Sequence, residues 1–246
     1  MPRRLRGVLD FVLPAGCVVC RAWIPDGGPA LVCGACRSRL APAPWPRCPR
    51  CHHPSGSGRA LSATCFECAD WAPEIHTLRY AFTLASPATQ IVHGLKYEGW
   101  RALGEMMGIA MAASVERSAE YDVVVPVPTT SRRLRARGYN QAEVLAASVA
   151  RRCGIALEVP LVRVDSKRSQ TALGPRERRA NVDRVFRSVR GVAGTALLVD
   201  DVLTTASTAG EAARVLRAAG AARVDVVTYA RALPRLEARN ERSSRG

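Results

Sequence analysis

An α/β domain with a mostly parallel sheet flanked by helices, preceded by a small cysteine-rich module, is the architecture this sequence predicts. Three observations predict it. Eight of the nine cysteines fall before residue 69, in four CxxC pairs. After them, short apolar runs alternate with segments of helical spacing, the pattern of strand, helix, strand, helix. One of those runs, YDVVVPVP, is continuously apolar and ended by prolines, as a central parallel strand buried on both faces requires.

Taken in chain order, the N-terminus MPRRLRGVLDFVLPAGC imitates a secretory signal, but Asp10 interrupts an apolar core that is already too short. No stretch approaches the roughly 18 to 20 apolar residues that span a bilayer, so the reading is cytoplasmic and reducing, with no membrane span. The cysteine-rich part contains PDGGPA, APAPWP and HPSGSG, which suit turns and short ribbons. The composition shifts near residues 70–75, which divides the chain into a module at 1–72, an α/β domain at 73–234 and a basic tail at 235–246. That tail ends ARNERSSRG, has no apolar content there, and is expected to be disordered.

Within the α/β part, HTLRYAFTL reads as a strand. Residues 87–114 read as one or two helices with Ile91, Leu95, Leu103, Met106 and Met107 facing inward. Asn140 is placed to cap QAEVLAASVARRC, which Gly154 stops. LVRV, VFRSV and TALLV are short strand candidates. Residues 207–219 carry Ala209, Ala212, Ala213 and Leu216 on one helical stripe before Gly220, and RVDVVTYA is the last strand.

Hydrophobic residues at 48% and charged residues at 23% exclude wholesale disorder. Thirty-six Lys and Arg against 21 Asp and Glu give +15, which suits polyanionic partners such as phosphates or nucleic acid, although an Arg-rich and Ala-rich source would leave the same mark.

In a reducing compartment, cysteines are metal ligands or catalysts rather than disulfides. A CxxC knuckle turns two sulfurs to one point, and two knuckles make the four-thiolate set of a structural zinc ion. The gap between Cys20 and Cys33 is 12 residues and that between Cys51 and Cys65 is 13, so two similar ribbons follow. They hold Cys17, Cys20, Cys33 and Cys36 in one, and Cys48, Cys51, Cys65 and Cys68 in the other. Spacing alone leaves an interleaved pairing open. His52 and His53 adjoin Cys51 and read as solvated or supporting residues rather than ligands, and Cys153 as a packed small hydrophobe. Eight thiolates around two zinc ions carry a net −4, so +15 becomes +11.

The run LLVDDVLTTAST places Asp200 and Asp201 at the carboxyl end of a strand, where open α/β sheets bind ligands. Adjacent carboxylates repel and need hydroxyl donors, a cation or nearby Arg. The turn that follows offers Thr204, Thr205, Ser207 and Thr208 hydroxyls and a helix N-terminus, which suit a phosphate. A ribose 5-phosphate has hydroxyls for one half and a phosphate for the other. No GxxxxGK[ST] occurs, and no GxGxxG follows a strand.

At these residues the chain resembles the type I phosphoribosyltransferases, and with VVPVPTTSRRLRARGYNQAEVLA, RSQTALGPRERRANVDRVF, IVHGLKYEGWRALG and the four CxxC pairs it resembles the ComF family, associated with competence and DNA uptake. The resemblance spans roughly residues 8–231. It implies a type I phosphoribosyltransferase fold behind a double zinc ribbon, and phosphoribosyl pyrophosphate with Mg²⁺ as ligands. It implies that Asp200 and Asp201 hold the ribose hydroxyls and that Thr204, Thr205, Ala206, Ser207 and Thr208 wrap the 5-phosphate. Pro126, Val127, Pro128 and Thr129 would receive pyrophosphate, and a loop from Ser166 to Arg179 would close with Arg168 and Gln170. The family has Gly where this chain has Ala206 or Ser207; if that turn needs positive φ, the side chain costs on the order of 1 kcal/mol.

Lys96, Arg132, Arg133, Arg135 and Arg137 would add positive potential for a polyphosphate leaving group. The same arginines also fit a solvated loop or a single-stranded nucleic-acid contact, and Tyr97 and Trp100 fit base stacking or core packing. Two functions remain open: a glycosyltransferase-class enzyme acting on an unidentified acceptor, or a non-catalytic component of DNA uptake that binds single-stranded DNA or a helicase and uses the pocket as a sensor.

Overall fold

The computed structural model describes residues 16–24, 31–55, 65–115, 120–164 and 185–233. The expected loop at 166–179, with Arg168 and Gln170, and the tail at 235–246 lie outside the described residues. A short helix α1 (Gly34–Ser38) sits in the cysteine-rich part. Then follow β1 (Thr77–Thr83), α2 (Ala88–Tyr97), α3 (Leu103–Ser114), β2 (Val123–Pro126), α4 (Ser131–Arg137), α5 (Gln141–Cys153), β3 (Ala156–Leu157), β4 (Leu161–Arg163), β5 (Phe186–Ser188), β6 (Thr195–Leu203), α6 (Ser207–Ala218) and β7 (Arg223–Arg231).

Five strands form one sheet in the order β1-β7-β6-β2-β3, and every neighbouring pair is parallel. The long central strands β6 and β7 are near-continuous apolar runs because helices cover both faces. On one face α2, α3 and α5 pack Ile91, Leu95, Leu103, Met107, Leu145 and Val149 against Leu197 and Val199. On the other, the Ala209, Ala212, Ala213 and Leu216 stripe of α6 meets Ala196, Leu198 and Val226. Each large apolar side chain buried this way contributes about 1.5–3 kcal/mol. Strands β4 and β5 stand apart as an antiparallel pair beside α6, so LVRV and VFRSV form a separate ribbon.

The helix boundaries follow their capping residues. The Asn140 side chain accepts from the Ala142 N–H, and Gly154 ends α5 at φ 70, where a side chain would be strained. The run 87–114 divides into two helices, and Met106 is only partly buried. Cys153 corrects an expectation: it is exposed rather than packed, because it lies in an exposed last helical turn (Arg151–Gly154) next to the exposed edge strand β3.

The cysteine-rich part shares the core of the α/β part. Cys17, Val18, Ile24, Val32 and Cys36 belong to the same apolar cluster as α2 and α3. Among the described residues no helix is long and apolar enough to cross a membrane.

Candidate functional site

The eight cysteines gather into two groups, Cys17, Cys20, Cys33, Cys36 and Cys48, Cys51, Cys65, Cys68, with all sulfurs of a group within 4.8 Å of one another. The first pair therefore joins the second and the third joins the fourth. The Sγ atoms of Cys20 and Cys33 are 3.8 Å apart, those of Cys48 and Cys68 3.9 Å, and those of Cys51 and Cys65 3.8 Å. A tetrahedron built on Zn–S bonds of about 2.3 Å has edges of about 3.8 Å, so both groups fit zinc. The Cys33 N–H donates to Cys17 Sγ at 3.4 Å, as a knuckle amide does.

Neither His52 nor His53 joins a group. Of the two roles expected for His53, solvated or supporting, the solvated one is ruled out: it is buried, edge-on to Phe66. The second group is fastened to the sheet by charge. Arg231, wholly buried on β7, donates to the Cys51 carbonyl at 2.5 Å and pairs with Glu67 at 3.0 Å. Arg50 donates to the carbonyls of Cys68, Ala72 and Ile75.

At the carboxyl end of the sheet, β6 does not stop at its acids but runs through them to Leu203. Alternation along the strand directs neighbouring side chains to opposite faces. Asp201 shares the side of Leu197 and Val199, and there meets Lys96 of α2, with Nζ to Oδ1 2.8 Å. Asp201 is buried, and its other carboxylate oxygen has no hydrogen-bond partner among the described residues. Asp200 accepts the Asp201 N–H at 2.8 Å. Burial, reinforced by the charge of Asp201, pushes the Asp200 carboxyl up to about 7.

The turn after β6 holds Ala206 at φ 61, ψ 0, in the left-handed region, and buries it. The Thr205 and Ser207 hydroxyls lie 3.0 Å apart on the exposed side. Ser207 and Thr208 then open the 12-residue α6.

A cavity of about 260 Å³ joins these parts. Asp200, Asp201, Thr204 and Thr208 line one side; Val127, Pro128 and Thr129 line another; Lys96 and Arg133 close it. The Thr129 hydroxyl is buried without a partner among the described residues. A larger cavity of about 1020 Å³ adjoins it, shares Lys96 and Arg133, and adds Arg132 and Tyr139.

Of the other residues singled out from sequence, Pro126 is buried within β2 and Arg135 is exposed on α4; neither lines a cavity. Thr205, Ala206 and Ser207 belong to the turn but not to the cavity wall. Tyr97 is exposed at the rim with the Arg137 guanidinium 5.1 Å from its ring centre, so it is not core. Trp100 is 40% exposed and donates to Glu98 at 3.0 Å.

Gln141 and Arg163 also line the smaller cavity and were not foreseen. Gln141 is the first residue of α5, and Arg163 arrives on β4, so only tertiary folding brings them there.

Such a wall, carboxylates and hydroxyls on one side and cations on the other, suits a phosphorylated sugar whose reaction separates charge.

Residues 8–69 match the family described as double zinc ribbon domain, and residues 108–244 match phosphoribosyl transferase domain. The chain is 32% identical over 234 residues to DNA utilization protein YhgH of Salmonella typhi, covering 91% of this chain and 100% of that protein. It is 27% identical over 202 residues to competence protein ComFC of Bacillus subtilis, covering 78% of this chain and 80% of that one. Among solved structures, glutamine phosphoribosylpyrophosphate amidotransferase from B. subtilis is 26% identical over 52% of this chain and 26% of its own, with a TM-score of 0.40.

Proposed function

This chain belongs to the ComF-type phosphoribosyl transferase family, a double zinc ribbon followed by a phosphoribosyl transferase domain, and we propose that it binds phosphoribosyl pyrophosphate with Mg²⁺ and transfers the phosphoribosyl group to an acceptor. Relatives named for DNA utilization and competence support a role in DNA uptake, which the chain would serve from the cytoplasm. The observation that carries the reading is the smaller cavity, where a buried carboxylate oxygen and a buried threonine hydroxyl lack a partner among the described residues. Buried polar groups are normally satisfied, so these two point to a polar ligand.

In this reading the two parts divide at residues 72 and 73, and the Thr204–Thr208 turn and the first amides of α6 hold the 5-phosphate. Asp200 and Asp201 accept from the ribose hydroxyls. The Val127–Thr129 turn, with Arg133 and Lys96, receives pyrophosphate. The bond between the anomeric carbon and the pyrophosphate oxygen breaks, its electron pair leaves with pyrophosphate, and the acceptor's nucleophile forms the new bond. Positive charge builds on the ring beside the carboxylates and negative charge builds beside the cations, so both walls are worth more in the transition state than in the ground state. Among the described lining residues no histidine or glutamate stands ready as a base, so the acceptor brings its own nucleophile. The free Asp201 oxygen fits a hard cation, and Mg²⁺ held by Asp201 and phosphate oxygens would offset the charge of the leaving group.

Calorimetric titration with phosphoribosyl pyrophosphate and Mg²⁺ tests the reading. The wild type should bind and Asp200→Asn/Asp201→Asn should not; a wild type that takes up no ligand sinks it.

A second reading rests on the larger cavity, where the Arg132 and Arg133 side chains have no carboxylate partner among the described residues. Single-stranded DNA would fit those cations, and its affinity should fall with salt and with Arg132→Ala/Arg133→Ala/Arg135→Ala.

A further inference from the structure

We propose that the first four-cysteine ribbon is a working part of the phosphoribosyl pyrophosphate site, positioning Lys96 through helix α2; the inference rests on the ligand reading given above. Helix α2 has ten residues and no side-chain N-cap, so it depends on packing rather than on its own propensity. Its back rests on the ribbon. Val18, between the ligands Cys17 and Cys20, lies against Gly94, where an added Cβ would come within 3.0 Å of Val18 Cγ1 and of Leu103 Cδ1. A side chain there would force Val18 or Leu103 to give way by a few tenths of an ångström. Two residues further on, the same helix offers Lys96 to Asp201 at 2.8 Å.

The end of α2 is also fastened to the ribbon. Glu98 accepts from Trp100 Nε1 at 3.0 Å, lies 3.1 Å from His93 Nδ1, and lies 3.9 Å from Arg21 of the ribbon. From the zinc ligands to the ligand cavity the path is therefore Cys17, Val18, Gly94, Lys96 and Asp201.

A ribbon of this size folds only with its metal, which makes it a two-state element. When it is folded, α2 has a seat and Lys96 is held over Asp201. When it opens, Gly94 loses Val18 and Glu98 loses Arg21, and α2 keeps its contacts with Leu103, Trp100 and its own His93. A ligand that needs Lys96 in place must favour the folded ribbon, and by reciprocity must protect its thiolates. The second ribbon supplies an internal control, since Arg50 and Arg231 tie it to its own carbonyls and to β7 rather than to α2.

The test uses the full zinc-loaded chain. Alkylation of each cysteine by N-ethylmaleimide is followed by mass spectrometry with and without saturating Mg²⁺ and phosphoribosyl pyrophosphate, and binding is followed by calorimetry on the same sample. Ligand should slow reaction of Cys17, Cys20, Cys33 and Cys36 about fivefold or more, the usual size of an allosteric coupling, and leave the other four ligands within about twofold. Gly94→Ala should weaken ligand binding, and adding Val18→Ala, which removes one of the two close contacts and leaves Leu103, should recover part of it.

Binding with unchanged rates at the first four cysteines, or with equal protection of all eight, overturns the inference while the ligand reading stands. Absence of binding overturns both. A Gly94→Ala defect that Val18→Ala does not relieve overturns the proposed path.

Discussion

Two ends of the same β6–β7 ladder carry buried aspartates, and the chain treats them in opposite ways. At the amino end, Asp225 accepts from the Thr77 N–H at 3.0 Å, the Tyr121 hydroxyl at 2.9 Å and Arg223 at 2.6 Å, and lies 3.1 Å from His76 Nδ1. Burial alone would raise its pKa, but Arg223, Thr77 and Tyr121 outweigh it and hold the carboxyl below the usual range. At the carboxyl end, Asp200 is pushed up to about 7, an Asp201 oxygen has no donor among the described residues, and Ala206 is held at φ 61. A carboxylate that serves the scaffold is satisfied by its own chain. One that faces a ligand leaves its demands open, and the local rules of folding are broken where binding is proposed.

The contrast can be broken most forcefully at Asp225. Asp225→Ala removes an acceptor shared by Arg223, the Tyr121 hydroxyl and the Thr77 N–H and should lower stability by about 3 kcal/mol, read from denaturant midpoints. Next in size is Asp201→Asn, which should cost about 1.5–3 kcal/mol of phosphoribosyl pyrophosphate affinity by calorimetry, because hydrogen bonds to a charged group are lost. Its denaturation midpoint should move far less than that of Asp225→Ala; equal loss of stability in both would erase the distinction between the two ends.

The two aspartates should also respond to pH with opposite sign. Asp200 titrates near 7 in the folded chain against an ordinary value of 3.8, so the native state keeps the extra proton and stability falls as pH rises through that window. Asp225 is depressed, so its contribution is present above the ordinary carboxylate value and is lost as pH falls through its lower folded pKa. Denaturation at pH 5 and pH 8 should show the first slope in wild type and not in Asp200→Asn. If ribose binding needs the ionised carboxylate, affinity should rise about tenfold between pH 6 and pH 8. The smallest expected effect is that of Ala206→Gly, which relieves a left-handed residue and should raise stability by about 1 kcal/mol at most.

Much of this was legible in the residues themselves. The ribbons were readable because CxxC pairs act locally, and α5 because Asn140 and Gly154 mark its ends within a few residues of chain. The acids and the Thr-rich turn were readable for the same reason. Ala206 was flagged as a misfit, and its positive φ bears that out. What sequence did not disclose is what neutralises Asp201. Lys96 was noted only as a cation for pyrophosphate, since its ion pair joins residues 105 apart in the chain. Arg163, Gln141 and the exposure of Cys153 depend on how elements meet, which periodicity does not encode.

Arg231 sets a constraint of another kind, on the order in which the molecule is completed. Its guanidinium reaches the Cys51 carbonyl across 180 residues, and β7 is the neighbour that β1 needs to join the sheet. At translation rates of about 5–20 residues per second, the second ribbon waits on the order of 10–40 s after Cys51 is made before that contact exists. Until then the second ribbon lacks its tie to β7 and β1 lacks its partner in the sheet, so closure of the molecule waits on β7.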